Sequence, residues 1–213
     1  MSKSTDNLDS IVEQIRQTFS AKDAAREKAL PLCREAIRDC SEAIRAVHRQ
    51  EFAGAAESLK TARRLLTEAQ QAVAACEDLS NTGFIRDAQK EFAEGSVLLA
   101  LVTGKKVPSP EELGIDAAAY LNGLGEAVGE LRRYLLDGMR QGDLSRSEDI
   151  LLMMDDIYSV LVTMDFPDAI TGGLRRTTDV VRGILEKTRS DLTLMMRQKE
   201  LEDKLEKFKG DIR

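Results

Sequence analysis

The sequence predicts an all-α protein, a bundle of about seven helices that ends in a long C-terminal one. Three observations carry this. The 213 residues include only 4 prolines, 14 glycines and no tryptophan, and Ala, Leu, Glu, Lys and Arg abound, the residues that lose least on entering a helix. Apolar residues recur at helical spacing through most of the chain. The breakers Pro108, Pro110, Pro167 and Gly172-Gly173 fall between the periodic stretches, and only Pro31 interrupts one.

The elements follow in order. Residues 7–49 are amphipathic, with Leu8, Ile11, Ile15 and Phe19 first and Leu32, Ala36, Ile37, Cys40, Ile44 and Val47 later. Pro31 removes a backbone donor, which predicts a kink or a joint and two arms of an antiparallel system. EFAGAAESLKTARRLLTEAQQAVAAC at 51–76 is a second helix, and NTGF at 81–84 a capped turn before a third that ends near Gly104. Ser109 before Pro110-Glu111-Glu112 starts a short helical turn. A helix from Asp116 to Arg140 carries the stripe Leu121, Leu124, Val128, Leu131 and Leu135; QGDLS at 141–145 closes it, and another helix covers 147–165. After MDFPDAITGG the final helix runs from Leu174, with Val180, Val181, Ile184, Leu185, Leu192, Met195 and Leu201 on its apolar side. The 42% hydrophobic fraction supports one core, so residues 1–213 read as a single domain. Stripes this long exceed what one chain can cover, which predicts self-association.

Charge and cysteine usage narrow the function classes. A net charge of −6 excludes a surface that is basic throughout but leaves room for a local basic groove. Three cysteines without metal-ligand spacing, and an opening MSKSTDN without an apolar segment, predict a reducing, cytoplasmic setting. Cys33 and Cys40 read as small buried hydrophobes, and Met153, Met154, Met195 and Met196 as core filler. No stretch approaches the ~18 apolar residues of a membrane span.

Two stretches break the helical pattern of buried apolar residues. In KEFAEGSVLLALV at 90–102, Glu91 and Glu94 continue the face that Leu98 and Leu101 bury. In YLNGLGEAVGELRRYLL at 120–136, Glu126 and Glu130 lie one turn apart among Gly123, Gly125 and Gly129. Glycine inside a helix costs about 1 kcal/mol relative to alanine, so its clustering signals the close approach of a backbone or a ligand. If these neighbouring helices pack together, four carboxylates converge, and their mutual repulsion calls for a cation. Oxygen ligands alone suit Mg²⁺ or Mn²⁺, ions that activate water and stabilise the leaving oxygen of a phosphodiester. A di-iron centre needs Glu-x-x-His pairs, and the single histidine, His48, belongs to none; it reads as a cation at a helix C-terminus.

LCREAIRDCSEAIRAVHR (32–49), KEFAEGS (90–96), YLNGLGEAVGELRR (120–133), QGDLSRSEDI (141–150) and LRRTTDVVRGILEKT (174–188) together resemble the translin family, and within it the catalytic translin-associated factor X subunit. The resemblance spans nearly the whole chain. It implies a translin-like helical bundle that assembles into a hollow octamer around single-stranded RNA or DNA. The catalytic subunit's Glu-Tyr-Val-Glu stretch matches Glu91 and Glu94, and its Gly-Val-Ala-Asp-Leu-Thr-Gly-Glu stretch matches Glu126 and Glu130. One departure is that the family's aspartate is Glu126 here, a methylene longer.

The implied activity is Mg²⁺-dependent (or Mn²⁺-dependent) endonucleolytic cleavage of single-stranded RNA by water. Glu91, Glu94 and Glu126 are the expected metal ligands, and Glu130 a ligand or the group that orients the water. Arg34, Arg38, Arg86, Lys90, Arg132 and Arg133 are the expected phosphate contacts. With aromatic residues at only 4%, backbone binding is expected to outweigh base stacking. The alternative is a non-catalytic, translin-like scaffold that binds single-stranded RNA or DNA.

Overall fold

The computed structural model describes residues 7–80 and 82–211. They form helices α1 (Leu8–His48), α2 (Phe52–Val73), α3 (Glu77–Ser80), α4 (Gly83–Val102), α5 (Pro110–Leu113), α6 (Ala117–Arg140), α7 (Ser147–Val162), α8 (Asp168–Thr171) and α9 (Leu174–Asp211), with no strand among the described residues. The all-α class with a long C-terminal helix therefore holds. Helices α3, α5 and α8 are single turns.

Local signals set several boundaries. Ser109 accepts from the Glu112 amide while Glu112 accepts from the Ser109 amide, a complete capping box around α5. Asp116 caps α6 by accepting from the amides of Ala118 and Ala119. Gly142, Gly172 and Gly173 take positive φ where the chain turns out of α6 and between α8 and α9. Of the predicted NTGF cap, Asn81 lies outside the described residues, and the Thr82 hydroxyl donates back to the Leu79 carbonyl instead of capping α4.

The predicted joint at Pro31 is not formed, because α1 runs unbroken through it. Pro31 lies on the exposed side, as does Glu27, whose carbonyl loses its helical partner, so water can satisfy that group. On the opposite side Ala29 before the proline and Cys33, Ala36, Cys40 and Ala43 after it are buried, so the packed face continues across Pro31. Burial pushes the Cys33 thiol up to about 11 and raises that of Cys40 further, consistent with packing roles. Met154 is fully buried, but Met196 is 46% exposed and fills no core space.

Helix α1 packs along α2 and α4, α4 also packs on α6, and α6 on α7 and α9. One buried apolar cluster runs through all six long helices. With 41 residues against 22, α1 outruns α2 by roughly 30 Å at 1.5 Å per residue. Leu8, Ile11, Val12, Ile15 and Phe19 lie on this overhang, which explains why an apolar stripe is exposed there. The distal part of α9 likewise exposes Leu194, Leu201, Leu205 and Phe208.

Two of the three clustered glycines mark close approaches. A Cβ on Gly123 would stand 2.5 Å from the Lys90 carbonyl oxygen and 2.7 Å from the Ala93 Cβ, so α4 and α6 touch backbone to backbone. A Cβ on Gly125 would collide with the Thr177 methyl of α9. At Gly129 the nearest atom would be the Ile184 Cδ1 at 3.9 Å, an ordinary contact, so the close approach expected there is absent. In urea titrations Gly123→Ala is expected to destabilise by about 1–3 kcal/mol through overpacking, while Gly129→Ala is expected to be neutral or to stabilise by up to about 1 kcal/mol.

Candidate metal centre and its groove

The Gly123 contact determines where the carboxylates fall. Glu91 and Glu94, one turn apart on α4, meet Glu126 of α6, and one carboxylate oxygen of each lies within 4.8 Å of the others. Glu94 is buried, while Glu91 and Glu126 are half-buried. The structure thus brings together three of the four acids predicted from the sequence. Glu130 is turned aside: its Oε2 lies 2.5 Å from the Nε2 of His48 and 3.7 Å from an Arg133 nitrogen.

Burial and like charge act in the same direction on the cluster. Burial, reinforced by Glu91, Glu126 and Glu130, pushes the Glu94 carboxyl up to about 8. Burial and Glu126 also raise Glu91, against the pull of Lys90. Glu130 is held below the usual carboxylate range, chiefly by its hydrogen bond with His48. Lys90 donates to Glu126 at 2.7 Å; burial works against its ammonium, but Glu126 more than offsets this and raises it. Three carboxylates with no nitrogen or sulfur ligand form a hard-oxygen donor set suited to Mg²⁺ or Mn²⁺.

The cluster opens into a groove of about 590 Å³, within the roughly 300–1,000 Å³ usual for ligand clefts and far larger than one ion needs. Glu91, Glu94, Gly125 and Glu126 form one wall; Arg176, Thr177, Val180, Val181 and Ile184 of α9 form the other. Asn122, buried, braces the corner. It donates to the Ala118 and Thr171 carbonyls at 2.8 Å each and accepts from the Thr177 hydroxyl at 2.7 Å, which joins α6, α8 and α9.

None of the six predicted phosphate contacts lines this groove. Arg34 and Arg38 are exposed on α1, and Arg86 is half-buried with its Nε unpartnered. Lys90 is bonded to Glu126. Arg132 donates to Thr188 at 2.8 Å and Asp191 at 2.6 Å, a tether between α6 and α9. Arg133 is exposed beside Glu130. Arg176, Asn122 and the His48 contact with Glu130 were missed. The signal for Arg176 was Arg175-Arg176 in the first turn of a helix, where the dipole disfavours cations. For His48 there was none, since 82 residues separate it from Glu130.

Glu94 gives a pH dependence of definite sign. Between the ordinary glutamate value of 4.5 and about 8, the unfolded chain releases a proton that the folded, metal-free protein keeps. Stability must fall as pH rises through that window. The metal-free protein is therefore expected to melt at higher temperature near pH 5.5 than near pH 8.5, and Mg²⁺ to raise the melting temperature more at the higher pH, where ligation no longer has to displace a proton. Glu94→Gln should flatten the profile; a wild-type profile already flat in calorimetry contradicts this account of Glu94.

Comparison with known proteins places this architecture. No family model matches the chain. An uncharacterized protein of Methanocaldococcus jannaschii is 31% identical over 191 residues, spanning 87% of this chain and 83% of that protein. The crystal structure of AfC3PO is 31% identical with a TM-score of 0.79, covering 88% of this chain and 97% of that one. AfC3PO in complex with duplex RNA is 32% identical with a TM-score of 0.77 over the same shares. NeC3PO without ligand has a TM-score of 0.75 at 18% identity, covers 91% of this chain and 100% of that one, and shares the fold. The chain belongs to the translin-like C3PO family.

Proposed function

We propose that the protein is a Mg²⁺-dependent endoribonuclease that cleaves single-stranded RNA inside an octameric, translin-like barrel, as the catalytic factor X type of subunit. The observation that carries this is the meeting of Glu91, Glu94 and Glu126 at the head of a groove. The AfC3PO complex with duplex RNA, at 32% identity, supports RNA as the ligand class. Exposed apolar residues on α1 and α9 support assembly from copies of this chain, treated as a single domain. Three free cysteines, two of them buried, support a cytoplasmic setting. No helix among the described residues is long and apolar enough to cross a membrane.

In this reading Glu91, Glu94 and Glu126 hold the divalent ion. When bound, that ion supplies acidity to water and neutralises charge on the leaving oxygen. Glu130, kept ionised and oriented by His48, accepts a hydrogen bond from the attacking water and aims it. Lys90 neutralises part of the cluster's charge. Water adds to phosphorus as the bond to the 3′-oxygen breaks, which leaves a 5′-phosphate and a 3′-hydroxyl.

A labelled single-stranded RNA is expected to be cut in Mg²⁺ and left intact in EDTA. Glu91→Gln and Glu126→Gln should each lower the rate on the order of 100-fold or more, since loss of groups that merely support a ligand already costs about 10–100-fold. RNA that is bound but uncut with every metal indicates the scaffold function instead, and 2′,3′-cyclic phosphate ends exclude this mechanism. Light scattering tests the octamer.

A further inference from the structure

An acidic cluster such as Glu91, Glu94 and Glu126 disfavours a nucleic acid beside it unless a cation takes up the backbone. Arg176 is the basic residue that lines the same groove, on the wall facing the acids. It is exposed and, among the described residues, forms no ion pair or side-chain hydrogen bond, unlike Lys90 and Arg132. Packing sets where it leaves α9. Gly125, next to Glu126, packs so closely on Thr177, next to Arg176, that a Cβ would collide, and the Thr177 hydroxyl is bonded to buried Asn122. The stretch of α9 that carries Arg176 is thus held against the stretch of α6 that carries Glu126. Arg176 also lies in the first turn of α9, where a cation opposes the helix dipole; the positive end and the guanidinium then attract the same anion. Beyond it, Val180 and Ile184 offer an aliphatic surface to a sugar edge and no aromatic ring to a base.

We propose that Arg176 is a substrate-positioning residue that binds a backbone phosphate next to the one at the acidic cluster, so that the groove selects oligonucleotides over mononucleotides and tolerates any base. This rests on the reading that the cluster serves phosphodiester hydrolysis.

The test uses the full-length protein, a labelled oligoribonucleotide and Arg176→Gln, Arg176→Lys and, as a charge-matched control, Arg64→Gln on the exposed side of α2. In EDTA, where no cleavage occurs, Arg176→Gln is expected to reduce the slope of log affinity against log salt by about one, and Arg64→Gln to leave it unchanged. In Mg²⁺, Arg176→Gln should raise KM about tenfold, the loss of one charge-assisted contact, with partial rescue by Arg176→Lys. Mg²⁺ affinity by calorimetry and melting temperature should match wild type. An unchanged salt slope and KM overturn the proposal. If wild type neither binds Mg²⁺ nor cleaves RNA, the hydrolase reading fails, and the salt slope in EDTA still decides whether Arg176 holds phosphate.

Discussion

Backbone contact between α4 and α6 at Gly123 is the constraint on which the rest of the site depends. Because the Lys90 carbonyl and Ala93 occupy the space a side chain would need, the two helices meet backbone to backbone at this point. Acids one turn apart on α4 and one on α6 then reach a common point. The methylene by which Glu126 exceeds aspartate changes where its carboxylate ends, and Lys90 meets it there. A second glycine, Gly125, leaves room for the Thr177 methyl of α9 and so brings in the groove's other wall.

Placing like charges together is costly, and the protein offsets the cost residue by residue. Glu94, the most buried, carries a proton through most of the neutral range when no cation is present. Glu126 is paired with Lys90, and Glu130 with His48. The outcome is a division among four carboxylates of similar sequence setting: one held back by burial, one neutralised by an ammonium, one kept ionised by an imidazole, and Glu91 between them. Environments that push neighbouring acids apart in this way are characteristic of sites that handle protons and metals.

The long helices serve a second purpose. The C-terminal part of α1 and the N-terminal part of α9 build the bundle, while the first turns of α1 and the distal turns of α9 keep apolar residues exposed among the described residues. Such surface is a liability in a monomer and a natural contact between copies. The acidic groove lies on α4, α6 and the proximal part of α9, away from those arms, so the exposed apolar surface and the candidate site occupy different parts of the helices.

Much of this was determined by the sequence alone, because it depends on local order. Helical periodicity, the Ser109 and Asp116 caps and the glycine breaks set the elements, and Glu91 and Glu94 on an otherwise apolar face, with Glu126 among glycines, pointed to the acidic cluster. Tertiary structure decided everything that depends on distance across the fold. It carried α1 through Pro31, since the packed face continues from Ala29 to Cys33 across it and only one hydrogen bond, on the exposed side, is missing. It separated Glu130 from the other acids by supplying His48 from the end of α1, tied Arg132 to α9 and brought Arg176 to the groove. A side chain's partner is set by which helices lie side by side, and no periodicity within one helix encodes what its neighbour presents.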